Sequence, residues 1–373
     1  MAASKGKTAK ISFGHLLRSL DSSLCTRCGT CVVACPYGSI ELGEEGGATL
    51  TGTCGTCGLC YFQCPQFTTV LEDAEKVFGK PAEFEGVGIY KNAYSARTKI
   101  PEVEESSQDG GVVTSLLVSL LEEGFIDGAV ITGVGEEPWK PEPRVAISRE
   151  EIIENAGTIY SPSSVLKGLR EAVDNYDREN LAVVGTPCQV KGLRRMKTAN
   201  RRANKYGSRV KLLIGLFCME SFPYENVVKI VEDELGLKIS EVTKFDIEKG
   251  DFIVQTGDQE KTIPVGELKD FMSSFCRVCL DFAAELADVS VGNVGVPSGY
   301  NAVLTRTDVG EEAFQRTIEA GDLESEPLEN VKPGLGLIEK LSNKKKQGRK
   351  EEIERRKESE EPIPPSAEES ESE

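Results

Sequence analysis

Apolar residues recur at helical spacing from Gly111 to Glu123 and stop at Gly124, a pattern that predicts a helix closed by a glycine. Ala129 to Val134 then reads as a short buried strand, and Pro138, Pro141 and Pro143 predict a loop after it. Helical periods return at Glu150 to Asn155 and at Ser163 to Tyr176, the second with Ser163 or Ser164 as its N-cap. Leu181 to Gly185 is a continuous apolar run ending in glycine, a strand, and a basic helical stretch follows it to Arg202. Val210 to Phe217 predicts another buried strand and Tyr224 to Leu235 another helix. Strands alternating with helices predict an α/β domain.

The two ends of the chain break this alternation. Residues 1–82 hold eight cysteines, and residues 341–373 mix charges without an apolar period before closing in prolines and a Ser/Glu run. That last segment reads as a solvated tail, disordered beyond Arg356. The organisation expected is therefore 1–82, 83–180, 181–340 and 341–373, an α+β and α/β multidomain chain.

The 373 residues, 39% of them hydrophobic, suffice for two or three cores. A formal net charge of -17 would repel a phosphate backbone, so nucleic acid is set aside as a partner, while the acidity suits docking to a basic redox protein. Met1 to Lys10 is basic and polar, and His15 and Arg18 interrupt Ile11 to Leu20, so no signal peptide is expected. Even Val112 to Leu121 contains Thr114, Ser115 and Ser119, so no membrane span is expected either. The expectation is a cytoplasmic protein that meets a membrane only through a partner.

The cysteines decide the chemistry. Cys25-Thr-Arg-Cys28-Gly-Thr-Cys31-Val-Val-Ala-Cys35-Pro36 returns as Cys54-Gly-Thr-Cys57-Gly-Leu-Cys60-Tyr-Phe-Gln-Cys64-Pro65. Each run is C-x2-C-x2-C-x3-C-P, in which three close thiolates wrap one 4Fe-4S cubane and the fourth reaches the other. Cys25, Cys28, Cys31 and Cys64 then hold one cluster, and Cys54, Cys57, Cys60 and Cys35 the second. Gly29, Gly55 and Gly58 supply permissive backbone for the wrapping, and the prolines turn the chain away. Zinc is the competing reading, but its cysteine pairs usually stand well apart.

Four cysteines remain: Cys188, Cys218, Cys276 and Cys279. Cys188 and Cys218 each follow a strand-like run, which would place both at one end of a parallel sheet, where α/β proteins bind ligands. Spacing alone leaves three readings open: a third 4Fe-4S cluster, a zinc site, or buried free thiols at Cys188 and Cys218.

Five stretches resemble the family of β subunits of coenzyme F420-reducing hydrogenases and F420 dehydrogenases, which also includes 7-hydroxymethyl chlorophyll a reductase. They are Gly110-Gly-Val-Val-Thr-Ser-Leu-Leu117, Tyr160-Ser-Pro-Ser-Ser164, Gly185-Thr-Pro-Cys-Gln-Val-Lys-Gly-Leu193, Cys276-Arg-Val-Cys-Leu-Asp281 and Ala287-Asp-Val-Ser-Val-Gly-Asn-Val-Gly295. The resemblance implies an α/β domain that binds FAD and its own cluster, bringing the 4Fe-4S total to three, with hydride exchanged between the flavin and the deazaflavin F420. On that footing Gly110, Gly111 and Thr114 would offer a helix start to a phosphate. Ser161, Ser163, Ser164 and Lys167 would bind the pyrophosphate or ribose, or else form a capped surface helix. Gly292 and Gly295 would let backbone approach the isoalloxazine, or else form a turn.

Hydride transfer between cofactors needs no protein acid–base pair, which fits a chain with one histidine, His15. The basic stretch Lys191, Arg194, Arg195, Lys197, Arg201 and Arg202 reads either as an attractor for the anionic deazaflavin or as a solvated helix face. Trp139, among prolines, reads as loop packing. With an attached dicluster module, the resemblance points to the electron-input subunit of F420H2 dehydrogenases. That subunit oxidises F420H2 at FAD and relays electrons to a membrane-bound complex that reduces a quinone or phenazine. The rivals are a soluble F420H2:ferredoxin or hydrogenase-linked oxidoreductase, a reductase of a tetrapyrrole or other organic substrate, and a flavin-free electron carrier.

Overall fold

The computed structural model describes residues 10–43, 47–199, 204–257 and 259–368. Its centre is an eight-stranded sheet in the order Leu323–Pro327, Asn92–Thr98, Asn301–Thr305, Val289–Gly292, Val210–Leu216, Leu181–Gly185, Gly128–Val134, Pro141–Ala146. The four strands from Val289–Gly292 to Gly128–Val134 are parallel to one another, and the flanking pairs are antiparallel. Parallel strands are covered on both faces, which is why Leu181–Gly185 and Val210–Leu216 are apolar without alternation.

Helices Val112–Glu122 and Asp308–Glu319 cover one face, with Leu116, Leu120, Ala313 and Phe314 in its core. Helices Lys167–Asp174 and Pro187–Thr198 cover the other, through Leu169, Ala172, Val190 and Leu193. The expected boundary at 180/181 thus falls inside one sheet. A separate three-stranded antiparallel sheet, Val242–Glu248, Asp251–Thr256 and Gln259–Pro264, packs Phe245 and Phe252 around Phe222, Phe275 and Cys276.

Three expectations are corrected. The proline-bearing segment after Gly128–Val134 is the strand Pro141–Ala146, which tolerates its prolines because it lies at the sheet edge. The helix expected from Ser163 starts at Lys167 with Leu166 as N-cap, and neither serine caps it through its side chain. The Ser163 carbonyl is taken by Gln189 Nε2 at 2.6 Å and that of Ser164 by the Lys167 N–H at 2.8 Å.

The third correction is the tail. The helix Leu335–Glu358 runs straight through the boundary expected at 341 and buries Ile338, Ser342, Lys345, Lys346, Ile353 and Arg356. Beyond Arg356 the chain stays packed, with Arg356 donating to Pro362 O at 3.1 Å and Ile363 against Leu24, Val278 and Ile353. Residues 369–373 of that segment lie outside the described residues.

The N-terminal module is built on short helices, Phe13–Ser19, Thr30–Ala34, Leu59–Phe62 and Val70–Phe78, with the hairpin Ile40–Leu42 and Ala48–Leu50. Its core is Phe13, Leu16 and Ile40 around Cys35, Cys60 and Cys64. It is docked onto the sheet domain: Arg170 reaches in to donate to Val32 O, Val33 O and Cys35 O at 2.7–3.1 Å. No helix among the described residues is long and apolar enough to cross a membrane.

Candidate functional site

The two cysteine runs of the N-terminal module fold alike. Gly29 (φ 87°) and Gly58 (φ 73°) are left-handed N-caps of the helices Thr30–Ala34 and Leu59–Phe62. Two residues before each, Arg27 (φ 55°) and Thr56 (φ 53°) adopt the same region without being glycine. Gly55 does not share it; its bareness instead admits the Tyr37 ring, which lies 2.2 Å from where a Cβ would stand. The expectation of permissive glycines holds at 29 and 58 and is corrected at 55.

Thiols of the two runs stand near one another within the module. Cys64 lies in the field of Cys28 and Cys25, and Cys31 in that of Cys28, Cys25 and Cys64. Cys60 answers to Cys57, Cys54 and Cys35, and these four line a small apolar cavity with Phe13, Tyr37 and Ile40. Burial pushes the Cys60 thiol up to about 11 and those of Cys31 and Cys64 well above their usual range. Thiols this desolvated and this close ionise together only if a cation compensates them, which is what cluster iron supplies.

The third set assembles from three places. Cys188 opens the helix Pro187–Thr198, whose start is fixed by a capping box in which the Thr186 N–H donates to Gln189 Oε1 at 2.7 Å. Cys218 follows Val210–Leu216, and Cys276 and Cys279 come from the turn Ser274–Val278. The strands before Cys188 and Cys218 are parallel neighbours, so both loops emerge at one end of the sheet, as their spacing predicts. Desolvation, reinforced by the other thiols, raises Cys188 well above its usual range, Cys218 to about 12 and Cys276 to about 11. Among the described residues no group of three or more His, Cys, Asp or Glu side chains is placed to hold a single metal ion.

This set adjoins the first ferredoxin set. Cys28 is among the charges acting on Cys188. Gly192, four residues after Cys188, has no side chain where a Cβ would stand 2.2 Å from Thr30 Oγ1 and 3.6 Å from Cys28 Sγ. Thr30 Oγ1 in turn lies 3.1 Å from Cys28 Sγ, in a hydrogen bond. At the far end of the row Cys57 is exposed.

Of the residues expected at a flavin, Gly110, Gly111, Thr114, Gly292 and Gly295 gather at the same end of the sheet, with their own packing reasons. Gly111 (φ 66°) is the N-cap of Val112–Glu122, and Thr114 sits in its first turn, half-buried. A Cβ on Gly110 would meet the Asn301 N at 2.7 Å, and Asn301 Oδ1 accepts the Val112 N–H at 3.2 Å. A Cβ on Gly292 would strike Phe217, and one on Gly295 (φ 84°) the Gly334 carbonyl. Asp109, beside Gly110, is hydrogen-bonded to Asn293, beside Gly292, and lies in the field of Asp246; burial raises its pKa. Tyr160 feels Asp109 and Asp246 too. Ser161 and Ser163 are buried, and Ser163 Oγ has no hydrogen-bond partner among the described residues, an orphan that a polar ligand would satisfy. Ser164 and the exposed Lys167 lie elsewhere, against Gly29 of the cluster loop. Sequence reasoning passed over Asp109 and Asp246, which carry no pattern of their own, and gave Tyr160 and Asn293 no role although both stand inside recognised motifs.

The described residues of the basic stretch, Lys191, Arg194, Arg195 and Lys197, are engaged in packing and pairing within the chain. Arg194 is buried, paired with Asp288 at 2.5 Å and bonded to Leu286 O at 2.6 Å. Lys191 and Arg195 bind Thr68 of the N-terminal module, and Arg195 also meets Asp73 at 3.3 Å. Lys197 caps Val210 O. Arg201 and Arg202 lie outside the described residues. Trp139 packs on Phe245 and donates to Val242 O at 3.0 Å, and His15 accepts the Ser12 N–H in a helix cap.

Comparison with known proteins matches residues 93–170 and 178–331 to the N-terminal and C-terminal family models of the coenzyme F420 hydrogenase/dehydrogenase beta subunit, and residues 19–41 to a 4Fe-4S binding domain. The chain is 44% identical to the coenzyme F420 hydrogenase beta subunit of Methanothermobacter thermautotrophicus, over 74% of this chain and 99% of that protein. It is 32% identical to a subunit of the F420H2 dehydrogenase of Methanosarcina mazei, over 89% and 92% respectively. Against a coenzyme F420-dependent sulfite reductase of Methanocaldococcus jannaschii it is 37% identical, over 92% of this chain but 52% of the longer one. A chain of the F420-reducing NiFe hydrogenase complex from Methanosarcina barkeri superposes with a TM-score of 0.70 at 37% identity, covering 74% of this chain and 94% of that one.

Proposed function

Because the chain belongs to the family of coenzyme F420 hydrogenase/dehydrogenase beta subunits, we propose that it is the input subunit of an F420H2 dehydrogenase, taking hydride from F420H2 at FAD and releasing single electrons through three 4Fe-4S clusters. The observation that carries this reading is the continuity of the cysteines. Cys188 of the third set adjoins Cys28 of the first, Cys31 of the first lies in the field of Cys60 of the second, and Cys57 of the second is exposed.

Bound flavin would supply the exchange between a two-electron donor and one-electron carriers. The residues offered to it are Gly110, Gly111 and Thr114 at the helix start, Ser161 and the orphaned Ser163, and the turns at Gly292 and Gly295. Ser164 and Lys167 remain in the proposed set with a changed role, bracing the Gly29 loop rather than meeting phosphate. At the exit, Tyr37, Leu50 and Phe62 are exposed beside Cys57, an apolar rim suited to a redox partner.

Coverage favours the dehydrogenase over the hydrogenase-linked reading: the dehydrogenase subunit aligns with 89% of the chain, the hydrogenase subunit with 74%. In this proposal the acceptor is a membrane-bound complex serving a quinone or phenazine. The test is an anaerobic assay of purified protein with F420H2 and an artificial one-electron acceptor. Return of the oxidised deazaflavin's visible absorption, with FAD released on denaturation, supports the proposal. Cluster absorption without flavin would make the chain a simple electron carrier, and co-purification with a soluble ferredoxin or a hydrogenase would replace the membrane acceptor.

A further inference from the structure

Lys345 lies beyond residue 331, where the family match ends, on the helix Leu335–Glu358. It is buried, at 4% exposure, and its ammonium donates to two backbone carbonyls, Cys218 O at 2.7 Å and Asp281 O at 2.8 Å. Both carbonyls are neutral. The cations around it are already matched: Lys346 meets Glu285 at 2.6 Å, and Arg349 meets Glu220 at 3.0 Å. Among the described residues Lys345 itself forms no ion pair with a carboxylate.

A buried ammonium without a counterion is one of the costlier groups a fold can carry. Its two acceptors place it against the third cysteine set: one is the carbonyl of Cys218 itself, the other that of Asp281, two residues after Cys279. The Asp281 carboxylate accepts the Glu285 N–H. Ionised as cluster ligands, the thiols of the third set are the anionic group beside this cation.

We propose that Lys345 is the built-in counterion of the third cysteine set and raises the reduction potential of the cluster held there. The inference rests on the reading that this set binds a 4Fe-4S cluster. A one-electron reduction adds a negative charge beside Lys345 Nζ and moves no proton or bond. A fixed cation stabilises the more negative state more, so the electron is easier to accept. A lysine from outside the cysteine segments thus positions the potential of the step between flavin and wire.

The test is a redox titration of the anaerobically reconstituted full chain, followed by EPR, with bound iron measured alongside. Lys345→Met and Lys345→Gln remove the charge, Lys345→Arg keeps it, and Lys344→Met removes an exposed charge next door. In both neutral variants one of three midpoints is expected to move to a more negative potential, with the other two unchanged and no movement in Lys345→Arg or Lys344→Met. If the neutral variants lose that cluster's iron while Lys345→Arg retains it, the need for a cation is upheld. Loss in all three, or an unmoved midpoint with full iron in the neutral variants, overturns the proposal. Wild-type protein binding only two clusters' iron overturns the third-cluster reading itself, and the counterion with it.

Discussion

The ferredoxin runs and the third cysteine set present similar thiols by opposite means. Eight of the cysteines fall between residues 25 and 64, where left-handed positions at Arg27, Gly29, Thr56 and Gly58 wrap the chain locally. The loops closed are short, so ordering them costs little chain entropy. The other four are brought together by adjacent parallel strands, a turn after the small sheet and a helix from beyond residue 331. Local sets depend on backbone conformation, whereas the dispersed set depends on the stability of the whole sheet.

Cys188→Ser is the sharpest way to break that comparison. It is expected to remove about one-third of the bound iron and to abolish delivery of electrons from F420H2 to an acceptor that docks at the exposed Cys57 end. The spectra of the two ferredoxin clusters should persist, and iron analysis with the acceptor assay checks both.

Asp288→Asn comes next. Asp288 pairs with Arg194 at 2.5 Å and also accepts the Leu213 N–H at 2.8 Å and the Thr307 hydroxyl at 2.7 Å, tying the segment after Cys279 to the sheet. Unpairing a buried Arg should cost about 3–5 kcal/mol in denaturant unfolding. Iron should leave the third set first; simultaneous loss from all three would show that the two regions are not separable.

Gly192→Ala tests their junction. Its Cβ would overlap Thr30 Oγ1, so overpacking of about 1–3 kcal/mol is expected, with slower electron exchange between third and first sets in rapid-mixing measurements. Thr30→Val is the smallest change. It removes the hydrogen bond to Cys28 Sγ, for about 0.5–1.5 kcal/mol and a more negative midpoint of the first cluster only.

The hydropathy pattern located the helix Val112–Glu122 and the strands Gly128–Val134, Leu181–Gly185 and Val210–Leu216 because each is apolar enough to be recognised alone. It passed over Asn92–Thr98, with polar residues at most positions, and misread Pro141–Ala146, whose prolines are harmless only because no strand lies beyond it. The helix Leu335–Glu358 escaped for a related reason. Its buried face includes Ser342, Lys345, Lys346 and Arg356, which look solvated until their carbonyl and carboxylate partners are known.

By itself, then, the sequence determined the two repeated cysteine runs of a 4Fe-4S module and the presence of an α/β sheet, since both follow from spacing within a few dozen residues. The convergence of Cys188, Cys218, Cys276 and Cys279, the docking of the module through Arg170 and Arg195, and the cation over the third set were decided by tertiary structure. Each of these joins groups far apart along the chain. Burial and charge compensation there depend on what the fold brings alongside, which no local pattern encodes.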